Sequence, residues 1–337
     1  MKKNLLLMSV TLALGFSVVG CNKSGKLSQP STFKPASGAV ELKLKWPQGE
    51  RIVQDMDMKQ KMEMTIPGRP MRMEQNMTMG QEYGLTVLKE NPDGGHEIEM
   101  EFLSARMGMT MGGKTLVDYD STKSSSADKA NPVADLFGKS IGAKIQYFLD
   151  ASNEVERIEG VDELANRLTT GGQADQGIQM FKSTMFSKER FKQLMSANRF
   201  MPPKAVQPGD TWPGKLSFDM PPLGTMVLDF DCTLQSWEMH GERNCARIEF
   251  QGTVKSTPDT NANPTGMSMT ITDGNFSGVS WFDPELGITI DTTMNQDMNM
   301  VITVPMSPRG NQGAAGQMQS ITNQMNQIMN IKLVSVK

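Results

Sequence analysis

The chain has 337 residues, 30 of them methionine, with 6% aromatic residues and a formal net charge of −3 at pH 7. That length allows one large β domain or two domains of ordinary size, and the mildly acidic balance excludes the basic footprint of a nucleic-acid-binding protein. Two histidines and three cysteines leave few candidates for a soft-metal ligand or a nucleophile, so no cofactor is expected.

Residues 1–20 place Lys2 and Lys3 ahead of a short apolar run, Leu5 to Val19. The run is too short for a comfortable membrane span and sits where the h-region of a signal peptide sits. It ends in Val18-Val19-Gly20-Cys21, which resembles the bacterial lipobox. The resemblance implies cleavage between Gly20 and Cys21, a diacylglyceryl thioether on the Cys21 sulfur, and an acyl chain such as palmitate on the new amino group. Each buried CH₂ contributes roughly 0.8 kcal/mol, so two or three chains hold a protein on a membrane stably. Asn22 and Lys23 follow, and not Asp. By resemblance to Gram-negative sorting rules this implies a periplasm-facing lipoprotein of the outer membrane. Residues 21–39, rich in Ser, Lys, Pro and Gly, read as a flexible tether.

Residues 40–160 read as a first β half. Val40 to Trp46 alternates and predicts a strand. Met56, Met58, Met62 and Met64, then Met71, Met73, Met77 and Met79 across the Pro67-Gly68 turn, repeat every second residue with polar residues between. Period two gives one apolar and one wet face, hence a hairpin with a methionine-lined surface. Asn91 to Gly95 is a turn; Glu97 to Met111 alternates again through Met107 and Met109, with a phase slip near Leu103 to Arg106 that predicts a bulge. Asp120 to Asn131 is a polar loop, and 141–149 with 154–158 form a further hairpin.

Residues 161–203 change texture. Val161, Leu164 and Leu168 have helical spacing with Asp162 and Glu163 in the first turn, and Ile178 to Met195 suggests a second amphipathic helix. Residues 204–337 return to strands: 225–237 with 244–255, 275–282 with 287–304, and 331–336. Residues 317–330 fit a helix or a strand equally. Met62-Glu-Met64-Thr-Ile-Pro67 is echoed by Met298-Asn-Met300 running to Pro305, so the two halves are expected to be related. The expected fold is therefore mainly β (β-rich α+β): antiparallel sheets in two related halves around a helical insert at about 161–199.

The lipobox, the Met-x-Met hairpin, the Gly160-Val-Asp-Glu-Leu164 step, the Gly209-Asp-Thr-Trp212 entry and the Phe282-Asp-x-x-x-Gly287 turn together resemble a family of uncharacterised bacterial lipoproteins, a domain of unknown function. The resemblance spans most of residues 40–337. It implies a sheet-rich extracytoplasmic lipoprotein and brings no known activity.

Gly108 to Thr115 formally fits a phosphate loop, but strand-like residues follow it where a helix is needed, so Gly112-Gly113 reads as a hairpin turn. His96 and His240 stand at turns and read as solvated. Cys232 and Cys245 lie on neighbouring strands, displaced by about four residues; a disulfide, if a bulge brings them together, and two buried thiols both remain open. The methionine face is core packing first, since thioethers fill irregular apolar space. A cavity holding a lipid or acyl chain, with the helices as a lid, is the alternative. Cu(I) held by Met-x-Met pairs is a distant one. The expectation is a non-enzymatic, lipid-anchored envelope protein, structural or binding, attached to the membrane through Cys21 and partnered by an envelope protein or lipid.

Overall fold

The computed structural model describes residues 32–33, 38–66, 72–123, 131–169, 186–188, 191–192, 195, 200–220, 224–257, 268–305 and 318–337. The lipobox, Gly20, Cys21, most of the tether and Met71 lie outside them.

Among the described residues the period-two pattern becomes twelve strands: β1 (Arg51–Thr65), β2 (Met73–Glu90), β3 (His96–Met111), β4 (Lys114–Asp120), β5 (Lys144–Leu149), β6 (Val155–Glu159), β7 (Thr211–Met220), β8 (Gly224–His240), β9 (Arg243–Thr257), β10 (Ser268–Asp283), β11 (Ile288–Pro305) and β12 (Met318–Val336). They form one antiparallel sheet in the order β6-β5-β3-β2-β1-β12-β11-β10-β9-β8-β7, with β4 also on β3. The first and last strands thus pair in the middle, and the two runs of strands spread outward from that seam. The predicted bulge is present: Glu82 faces Ser104 and Tyr83 faces Phe102, leaving Leu103 over. It shifts the buried parity of β3 from Ile98, Met100 and Phe102 to Ala105, Met107 and Met109. It also divides the strand, which pairs β5 over 96–101 and β4 over 106–111.

Of the stretch 317–330, residues 318–330 are strand, as part of β12. Two expectations are corrected, and one helix appears where none was assigned. Val40 to Trp46 makes no strand: Val40 forms an isolated bridge to Val206, while Lys45 N donates to the Gly287 carbonyl at 3.0 Å, so its backbone groups go to two distant places. The polar stretch before residue 132 is followed by an unforeseen helix, α1 (Pro132–Ser140). Asn131 caps it, its side-chain oxygen accepting from Val133 N and Ala134 N, with Pro132 in the first turn where no N–H is needed. And α2 (Val161–Thr169) starts where the spacing placed it but does not pack on the methionine rows, while most of the second predicted helix, 178–195, lies outside the described residues. Val161, Leu164 and Leu168 join a second core with Ile98, Ile145 and Tyr147.

Near the β7 edge the sheet inserts glycines beside aromatics. Gly214, Phe230, Gly252 and Phe276 follow one another across four strands. A Cβ on Gly252 would stand 2.2 Å from the Asp229 carbonyl oxygen and 2.6 Å from the Phe230 Cβ. Backbone cannot step aside as a flexible side-chain end can. Gly252→Ala is therefore expected to destabilise by about 1–3 kcal/mol, as overpacking does, read as a lower urea midpoint at unchanged slope.

Candidate functional site

The candidate site is the inner face of the five central strands. Registers align the predicted methionines into rows that run across the strands. One row is Met107, Met79, Met58, Met329 and Met294, on β3, β2, β1, β12 and β11. Two residues along, the next is Met109, Met77, Gln60, Gln327 and Gln296, and then Met111, Gln75, Met62, Met325 and Met298. Met64, Asn323 and Met300 continue the pattern. Met56, Met58, Met62, Met64, Met77, Met79, Met107 and Met109 are all buried, and Met73 is half-buried at the margin. The structure thus brings together every predicted methionine of the face that lies within the described residues.

Sequence reading missed the amides among them. Gln60, Gln75, Gln296, Gln327 and Asn323 are 0–3% exposed. Neither amide atom of Gln60, Gln75 or Gln327 has a hydrogen-bond partner, and the side-chain oxygens of Gln296 and Asn323 have none. The Gln296 nitrogen reaches only the Met298 sulfur, at 3.3 Å. The signal was in the chain: Met-x-Gln-x-Met occurs at Met58 to Met62, Met73 to Met77, Met294 to Met298 and Met325 to Met329. A buried amide without a partner costs roughly 1–3 kcal/mol on mutational scales. No Asp, Glu, Lys or Arg stands in these rows, so the face is neutral as well as apolar.

The charges lie on the opposite face. Arg106 on β3 donates to Asp55 (3.1 Å) and Asp57 (3.0 Å) on β1, reaching across β2 where Gly80 leaves room. Burial, then the Asp57 carboxylate, raise the Asp55 carboxyl to about 6 against the pull of Arg106. Its ordinary value is 3.8, so the folded chain keeps a proton that the unfolded chain releases between about pH 4 and 6. The contribution of this group to stability is therefore largest below pH 4 and is lost as pH rises through 6. Asp55→Asn should remove that decline, which is at most about 3 kcal/mol for a shift of this size, as read by urea unfolding at pH 4, 5.5 and 7. On the same face, β7 to β11 enclose an open groove of about 930 Å³ carrying Asp229, Asp231 and Asp297, with Lys215 paired to Asp229 at 3.3 Å. Among the described residues no group of three His, Cys, Asp or Glu side chains is placed to hold a metal ion.

The remaining candidates separate. Gly112 and Gly113 both have positive φ, at 55° and 75°, and form the two-residue turn between β3 and β4. Cys232 faces Phe250 and Cys245 faces Glu238, so five residues of β9 separate their positions. At about 3.4 Å per residue this far exceeds the span of a disulfide. Both are free, buried thiols, and burial pushes each up to about 12. His240 is not merely solvated: it stacks on Trp281 at 4.4 Å and its Nε2 lies 3.0 Å from Asp291. His96 is half-buried, its Nδ1 without a partner.

Among the described residues no helix is long and apolar enough to cross a membrane. No curated protein matches the chain in sequence. Among solved structures, one of lipovitellin, described for its lipid–protein interactions, is similar at 7% identity and a TM-score of 0.41, over 87% of this chain and 26% of that one. This chain thus spans only about a quarter of the lipovitellin chain. A candidate exported protein with a YmcC-like fold from Bacteroides fragilis is similar at 12% identity and a TM-score of 0.29, over 88% of this chain and 100% of that one. A candidate outer membrane lipoprotein-sorting protein domain from Vibrio parahaemolyticus is similar at 8% identity and a TM-score of 0.13, over 84% of each chain. Residues 93–289, more than half of the chain, match the model of the family of unknown function DUF6263, and the chain belongs to that family.

Proposed function

We propose that this chain is a non-enzymatic, lipid-anchored binding or structural protein of the bacterial envelope, held on the periplasmic side of the outer membrane through Cys21. The anchor rests on the Val18-Val19-Gly20-Cys21 box and the charged and apolar segments before it. The observation that carries the rest is the closure of the methionine face. Met58, Met62 and Met77 are each 1% exposed, which supports a packed interior over a standing open cavity. Thioethers have low barriers and adapt to irregular neighbours, so such a face can repack around a partner without reactive groups. The two runs of strands read as related halves: each carries two Met-x-Gln-x-Met strands, β1 and β2 in one, β11 and β12 in the other, on either side of the central seam.

Intact mass of the protein extracted from membranes tests the anchor. The expected result is a chain that begins at Cys21 and carries three acyl chains, with Cys21→Ser accumulating as an uncleaved precursor. A mature chain cleaved at the same bond in wild type and variant, without acyl chains, refutes it. The carrier reading stays in play on one observation, the unpartnered amides.

A further inference from the structure

We infer that the amide row Gln60, Gln327 and Gln296 is a recognition stripe for a neutral acyl ester or acyl amide, held against the methionine face. Three neighbouring strands place these side chains side by side, so the stripe is about 10 Å long at the usual strand spacing. Methionine rows lie on both sides of it, each about 7 Å away along the strands. A closed apolar core has no use for such a stripe. Met is nearly the same shape as Gln and already fills the adjoining positions, so the interior could be completed without amides.

The chemistry of the stripe selects the ligand. Side-chain amides offer both donors and acceptors. They match a carbonyl oxygen, an amide N–H or a hydroxyl, and the flanking thioethers match hydrocarbon. A free carboxylate or a phosphate would enter this face without a counter-charge, because no cationic side chain stands in the rows, and burying an unpaired charge is far costlier than burying an amide. The closed face is the ligand-free form. The unpartnered amides raise its free energy, and a ligand that supplies the missing hydrogen bonds relieves that cost while the flexible methionines move aside.

The inference rests on the binding reading given above, and one experiment separates the two. Native mass spectrometry of the full acylated chain, released from detergent micelles, reads the mass of the anchor and any bound probe in the same spectrum. The probes are 1-oleoylglycerol, a neutral ester, and oleate, its charged counterpart. One 1-oleoylglycerol per chain is expected, with oleate at least tenfold weaker. The triple variant Gln60→Met, Gln296→Met, Gln327→Met should lose at least tenfold in ester binding while remaining folded. Should the triple variant not fold, Gln327→Met alone is expected to weaken the ester several-fold. Equal binding of ester and oleate, or an unchanged affinity in the variants, overturns the amide stripe and leaves an apolar binding face standing. No bound probe on a correctly acylated chain overturns the stripe and leaves the anchor intact; a chain without acyl mass refutes the anchor whatever the probes do.

Discussion

Replacing Gln60 or Gln327 with Met is expected to stabilise the protein by about 1–2 kcal/mol each, and replacing Gln60, Gln327 and Gln296 together by about 2–4 kcal/mol. The direction is unusual, since most core substitutions destabilise. It follows from three observations. Both amide atoms of Gln60 and Gln327 are buried without a partner, whereas only the oxygen of Gln296 is, so Gln296 should gain least. Each amide stands beside methionine on the same face, so the replacement suits its surroundings. And Gln→Met nearly conserves volume, which keeps the cost of repacking low. The three sites are cross-strand neighbours, so their effects should not add in full. Urea midpoints of the single, double and triple variants measure this directly. A loss of stability in Gln60→Met would mean that the amides hydrogen-bond one another across the row, and would count against the recognition stripe as well. A gain would identify a stretch of the interior that holds polar groups at the expense of stability, as functional surfaces do.

Much of the sheet was legible because methionine, unusual as it is, still obeys the period of the strand. Met56 to Met64 and Met294 to Met300 alternate clearly, and turns such as Gly112-Gly113 carry their own conformational signal. Legibility failed where one signal meant two things. In β12, Ile321, Met325 and Met329 are spaced by four, which suits a helix and equally every second inner position of a strand. The residues between that would have settled it, Asn323 and Gln327, are polar yet buried, and a polar residue reads by default as outward. The same default hid the amide row. Parity alone puts Gln60 on the face of Met58 and Met62, but its adjacency to Gln327 depends on pairing between the two ends of the chain, which no local pattern encodes. The tract from Val40 to Trp46 failed for the converse reason. It alternates like a strand, but its backbone groups find partners at Val206 and Gly287 and not along one neighbouring strand.

Arg243→Met is expected to be the most damaging single change on the outer half of the sheet, costing about 3–5 kcal/mol, the usual consequence of removing one partner of a buried ion pair. Arg243 is 4% exposed and Asp283 is not exposed at all. The guanidinium donates to Asp283 through Nε and to Glu285 through Nη2 at 2.9 Å, which ties the start of β9 to the turn between β10 and β11. That turn depends on the same carboxylate, whose other oxygen accepts from Glu285 N at 2.8 Å and Leu286 N at 3.1 Å. It is also where the chain ahead of the sheet is fastened. Lys45 donates to the Pro284 carbonyl at 2.8 Å, and the Thr32 hydroxyl donates to Glu285 at 2.7 Å. Without Arg243 a carboxylate is left in the interior facing two backbone donors and no cation, and the turn, Lys45 and Thr32 lose a common support. If the loss is a buried-charge effect, Asp283→Asn in the Arg243→Met background should recover part of it. An asparagine still accepts from the two backbone amides and carries no charge to strand. If the loss were one of packing alone, the double variant would be no better than Arg243→Met. Comparing the two urea midpoints separates these outcomes, and protease sensitivity around residues 32–46 reports whether the fastening of the tether goes with them.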